Sequence, residues 1–172
     1  MLARNELFQL LAPSAGLGMN RWKGFWRLAP RERRVVLRAG MMLSLTVVAL
    51  RVLGFPRWRG RLEKYVANAP AAGGDAASRL ALAREVTGLA TKAERRGPLR
   101  PNCLERSLVL WWLLRRRGLP AELRIGARKE NARFEAHAWV ELEGEVLNDS
   151  ETVHKHYARF DGPIASTESG SR

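Results

Sequence analysis

PNCLERSLVLWWLLRRRGLP (101–120) runs into AELRIGARKENARFEAHAWVELEGEVLND (121–149), and between them the hydrophobic period changes from helical to alternating. Asn102 is a good helix N-cap, and Glu105 lies three residues on, where its carboxylate can reach back as in a capping box. The helix it starts is expected to run to about Arg117, with Gly118-Leu119-Pro120 ending it. Leu104, Leu108, Leu110, Trp111, Trp112 and Leu114 give it enough apolar surface to bury most of its circumference. Beyond Pro120, Leu123 and Ile125 alternate with Arg124, which predicts a strand from Ala121 to about Arg128 and a turn over 129–131. Phe134, Ala136, Ala138, Val140 and Leu142 then alternate with Glu135, His137, Trp139 and Glu141, a second strand. Gly144 turns it, and Glu145 to Asp149 is expected to return as a third. A buried helix followed by an antiparallel meander makes an α+β core.

Outward from this core the pattern is helical. Trp22, Phe25 and Trp26 share one helical face before Ala29-Pro30 breaks the run, and a second helix should begin near Pro30. It enters the most apolar stretch of the chain, 35–53, within which Ala39 to Leu50 is uncharged. A spanning helix needs about twenty apolar residues, so this shorter run reads first as a core or docking helix. Membrane-surface contact through 35–53 is the second reading and a true span the third. Asn68 to Ala77 has the composition of a linker, and Ser78 to Arg96 reads as a helix with Leu80, Leu82, Val86, Leu89 and Ala90 as its apolar set. The expected organisation is a poorly ordered start (1–20), a helical subdomain (21–66), a linker (67–77), the core (78–160) and a disordered tail (161–172).

Composition narrows the chemistry. The single cysteine, Cys103, makes an internal disulfide or a multi-thiolate metal site impossible and fits a reducing compartment. Glu6 and Gln9 interrupt any signal-like apolar run, so a cytoplasmic location, with membrane association as an option, is expected. The net charge of +13 favours acidic partners in general but selects no function, and compositional bias accounts for it as well.

Cys103 sits at the first position of a capped helix, where the macrodipole favours an anion by roughly 0.3–1 kcal/mol. That alone does not make a thiolate; a neighbouring imidazolium does. His137, mid-strand on the polar face, is the candidate base. Its partner depends on the hairpin register. A three-residue loop 142–144, with Gly144 left-handed, pairs Glu141 with Glu145 and sets His137 opposite Asp149, with Cβ atoms about 4.5–5.5 Å apart. A two-residue loop would send the two to opposite faces. With the first register, Cys103, His137 and Asp149 have the roles of nucleophile, base and orienting acid in acyl chemistry. The Cys103 backbone N–H is a candidate oxyanion donor. His154 and His156 read as surface residues, and no phosphate-cradling glycine loop is visible.

CLERSLVLWWLLRRRGLPAELRIG (103–126), FEAHAWVEL (134–142) and VLND (146–149) resemble the leader peptidases of lasso-peptide biosynthesis, the microcin-processing maturation proteins with a transglutaminase-like core. The resemblance spans roughly 78–155 and extends more loosely over 22–63. It implies a papain/transglutaminase-like fold and a Cys103–His137–Asp149 peptidase that cleaves the leader from a ribosomally made precursor peptide. It also implies a separate leader-recognition protein and a macrolactam cyclase as partners, since no winged-helix recognition domain is visible in this chain. ATP is associated with such pathways, but no ATP site or other cofactor site is seen, and no nucleic acid is expected. The alternatives are a transglutaminase-like acyltransferase, a non-catalytic peptide-binding relative, and a basic protein that binds nucleic acid or a membrane surface.

Overall fold

A computed structural model describes residues 25–97, 99–130, 133–150, 152–153 and 157–159. The expectations for residues 1–20, Trp22, His154, His156 and the tail 161–172 lie outside the described residues. The chain divides into two compact units, 1–34 and 35–172. In the first, Phe25 and Trp26 meet edge to face at 5.8 Å, and the Arg33 guanidinium lies 5.6 Å from the Trp26 ring centroid.

Among the described residues four helices precede a four-stranded antiparallel sheet: α1 (Pro30–Leu53), α2 (Phe55–Val66), α3 (Ala76–Arg96), α4 (Cys103–Arg115), β1 (Glu122–Glu130), β2 (Arg133–Leu142), β3 (Glu145–Val146) and β4 (Ala158–Arg159). The strand order is β3-β2-β1-β4. This is an α+β arrangement, as the change of period predicts. The strand β4, too short to show a pattern in sequence, pairs Gly126 with Arg159 and Ala127 with Ala158.

The helix α4 is the centre of the core. It packs on β1 and β2 and against α2 and α3, and Leu108 to Leu114 is buried without a break. With burial all round, the residues of α4 show no polar stripe. The capping box forms as expected: Asn102 Oδ1 accepts from the Glu105 N–H at 2.9 Å, and Glu105 Oε2 accepts from the Asn102 N–H at 2.8 Å. Helix α3 begins at Ala76, two residues before the expected Ser78, because Asp75 caps it by accepting from the Ser78 N–H. Its buried line is Ala83, Val86, Leu89 and Ala93, so small residues take the place expected of Leu82, which is exposed.

Helix α1 buries Val36, Ala39, Leu43, Thr46 and Val47, and Thr46 Oγ1 accepts from Trp58 Nε1 of α2 at 3.3 Å. Leu37, Met41, Leu45, Val48 and Val52 form an exposed stripe on the other side. It is the one described helix long and apolar enough to cross a membrane by length and composition, and 39% of its most apolar window is buried.

The stretch between α2 and α3 is held in place at Gly118, just past α4. The Ala72 N–H donates to the Gly118 carbonyl at 3.0 Å. Gly118 has φ +74°, and a Cβ there would lie 1.8 Å from the Pro70 carbonyl oxygen and 2.5 Å from the Ala72 nitrogen. Both conditions demand glycine. Left-handed strain on a residue with a Cβ is worth about 1–2 kcal/mol and overpacking about 1–3 kcal/mol more. Gly118→Ala is therefore expected to lower unfolding stability by about 2–5 kcal/mol in urea titration. A loss below about 1 kcal/mol would mean that 70–72 moves aside freely.

The β2–β3 hairpin corrects the expected register. Its loop has two residues, Glu143 and Gly144, with φ of 51° and 83°, and Glu141 pairs with Val146 and Leu142 with Glu145. Two consecutive positive φ values are those of a type I′ turn, whose twist suits a tight hairpin. Arg79 and Arg84 of α3 hold it from the side, each 2.5 Å from Glu143 and Glu145 respectively. The expected third strand, Glu145 to Asp149, ends at Val146.

Candidate active site

Cys103 is the first residue of α4, partly exposed and a free thiol. The cap employs the N–H of Glu105, and the N–H of Arg106 donates to the Asn102 carbonyl at 3.1 Å. The N–H groups of Cys103 and Leu104 lie in the first turn, ahead of any intrahelical acceptor, and are positioned to meet a developing anion.

His137 lies on β2 opposite Gly126 of β1. Directly opposed residues share a face, so Gly126 puts no side chain beside the ring. The imidazole stacks on Tyr157, with centroids 5.0 Å apart, and lies nearly parallel to Trp139 at 6.4 Å. Trp139 is fully buried, and its Nε1 donates to Glu141 at 2.7 Å. Arg128 lies 5.0 Å from the Tyr157 ring centroid and bonds Glu135 at 2.7 Å. That hydrogen bond holds the Glu135 carboxyl below the usual carboxylate range. Desolvation and the hydrogen bond to Glu135 push the Tyr157 hydroxyl above its ordinary value, so the ring over His137 stays neutral.

Asp149 Oδ2 accepts a hydrogen bond from His137 Nε2. The side chains of both are more than two-thirds buried. Asp149 Oδ1 accepts from the Ser150 N–H at 2.7 Å, so both carboxylate oxygens are engaged. A carboxylate only accepts, so Nε2 carries a proton, and in the neutral ring Nδ1 presents a lone pair. The structure thus brings His137 and Asp149 together despite the two-residue loop. The contact does not come from the ladder, which would place Ser150 opposite His137; it comes from a bend at 147–149.

Cys103 is joined to this pair through the body of the fold. Ser107, one helical turn along on the same face, is fully buried, and its Oγ donates to the Ala138 carbonyl at 2.8 Å, beside His137. Among the described residues no direct hydrogen bond links the thiol to the imidazole. Sequence reasoning missed Ser107, Asn148 and Tyr157. The available signal for Ser107 was a lone small hydroxyl just ahead of the apolar run Leu108 to Leu114, and for Asn148 its place in the VLND stretch beside Asp149; Tyr157 had none that distinguishes it from a loop residue.

Residues 42–160 match the transglutaminase-like superfamily. The chain belongs to that superfamily. No curated protein and no solved structure matches it. Transglutaminase-like proteins are typically cysteine-dependent enzymes, and the domain fits chemistry of the cysteine peptidase or acyltransferase kind. In this transglutaminase-like domain the matched residues include the helix that carries Cys103, the strand that carries His137 and the bend that carries Asp149.

Proposed function

We propose that this transglutaminase-like protein is a cysteine peptidase that removes the leader from a ribosomally made precursor peptide in lasso-peptide maturation, with Cys103, His137 and Asp149 as its catalytic residues. The observation that carries the reading is the His137–Asp149 hydrogen bond on the strand packed against the cysteine helix. The motifs at 103–126, 134–142 and 146–149 support the assignment to leader peptidases.

In this mechanism His137 Nδ1 takes the proton of the Cys103 thiol, and the sulfur attacks the scissile carbonyl carbon. The carbonyl π-electrons move to oxygen, and the N–H groups at the start of α4 stabilise the oxyanion. Collapse breaks the C–N bond as the imidazolium gives its proton to the leaving amine. Water, deprotonated by the same imidazole, then hydrolyses the thioester and frees the thiol. Asp149 holds the ring in the tautomer that both half-reactions need. A recognition protein presents the leader, and a cyclase closes the macrolactam on the released core peptide.

The test is reconstitution with a cognate precursor and recognition protein, followed by mass spectrometry of the products. Leader and core peptide as separate hydrolysed fragments are the expected outcome. Products carrying an added amine acceptor in place of water would shift the assignment to acyl transfer.

A further inference from the structure

The ladder between β2 and β3 breaks at one identifiable bond. Leu147 and Val140 occupy a position where an antiparallel pair exchanges two hydrogen bonds. One is made: the Leu147 N–H donates to the Val140 carbonyl at 2.9 Å. The return bond goes elsewhere, because the Val140 N–H donates to the side-chain Oδ1 of Asn148 at 2.8 Å. A side-chain carbonyl has replaced a main-chain one, and the backbone is released from the sheet without leaving a buried donor unpaired. The other end of the same amide is also held. Asn148 Nδ2 donates to Ser107 Oγ at 2.8 Å, and Ser107 Oγ in turn donates to the Ala138 carbonyl.

This chain of bonds touches all three carriers of the site. Ser107 is on the cysteine helix, Ala138 and Val140 follow the histidine on its strand, and Asn148 precedes Asp149. Had the ladder continued, Asp149 would oppose Ala138 and point away from the face of His137. Resting on the triad assignment above, we propose that Asn148 is a positioning residue: its amide, clamped between Val140 and Ser107, turns Asp149 onto His137 and sets the cysteine helix against the histidine strand. The acceptor for Val140 ends the ladder and turns Asp149, and the donor to Ser107 ties that bend to the cysteine helix. Aspartate keeps the acceptor for Val140, and alanine keeps neither.

The test compares Asn148→Ala, Asn148→Asp and Asp149→Asn in the full chain, with folding checked by circular dichroism. The first readout is the downfield imidazole N–H proton signal of a histidine bonded to a carboxylate, assigned by its loss in His137→Gln. The second is the rate of Cys103 alkylation by iodoacetamide at neutral pH. In folded Asn148→Ala the signal is expected to disappear and alkylation to slow by about tenfold or more, as the base loses its orientation. Asn148→Asp is expected to keep the signal. A folded Asn148→Ala that retains both signal and alkylation rate, and loses only thermal stability, overturns the proposal. If Asn148→Ala does not fold, loss of the signal in folded Asn148→Asp overturns it instead. Asp149→Asn separates the two layers: a signal that survives this change removes the His137–Asp149 pair itself, and with it the triad reading, whatever Asn148 does.

Discussion

Cys103→Ala is expected to leave the protein folded and to lower precursor cleavage by at least about 10⁴-fold, the scale on which nucleophile removal acts in triad enzymes. The fold should survive because Cys103 is partly exposed at the first helical position, and alanine is the strongest helix former. The capping box is made by Asn102 and Glu105, which the change does not touch. Catalysis should not survive, because no other cysteine exists in the chain to form the thioester. Mass spectrometry of the precursor after long incubation, beside circular dichroism of the variant, makes the measurement. Cleavage within tenfold of wild type would end the thiol mechanism.

Asp149→Asn should be nearly as damaging, by about 10²–10⁴-fold in kcat, with little change in stability. The reason is a conflict of hydrogen bonds. The two carboxylate oxygens accept from His137 Nε2 and from the Ser150 N–H. An amide has one oxygen, so it can serve only one of these donors. If its oxygen stays with Ser150, its NH₂ faces Nε2 and forces the other tautomer, which leaves Nδ1 protonated and unable to accept the thiol proton. If it turns to His137, the Ser150 N–H meets a donor and the bend at 147–149 loses its support. Steady-state kinetics that match wild type would assign the orienting role to another group. A fall in kcat with KM unchanged is the pattern that the tautomer argument predicts.

The two variants probe parts of the site that sequence resolved unequally. The capping signal at Asn102 and Glu105 and the breaker at Gly118-Leu119-Pro120 are local in origin. A cap depends on a side chain reaching its own backbone three residues away, so it is readable from spacing alone. The alternation of β2 is local in the same sense, since period two puts His137 and Trp139 on one face whatever they meet. The hairpin loop was not readable in this way. Leu142-Glu143-Gly144 accommodates either loop length, and the choice of two residues is made by the pairing of Glu145 with Leu142 and by the arginines of α3. The expected register was wrong, yet the expected contact exists. The bend that rescues it depends on Ser107, 41 residues away in sequence.

By itself, then, the sequence determined the α+β order of elements, the capped start of α4 that holds Cys103, and the face of β2 that holds His137. All of these follow from interactions within a few residues of the chain. Tertiary structure alone decided that Asp149 reaches His137. An unpaired Val140 N–H buried between α4 and the sheet must find an acceptor, and the Asn148 side chain satisfies it where the strand ends. Such a requirement exists only once the helix has packed on the sheet and excluded water.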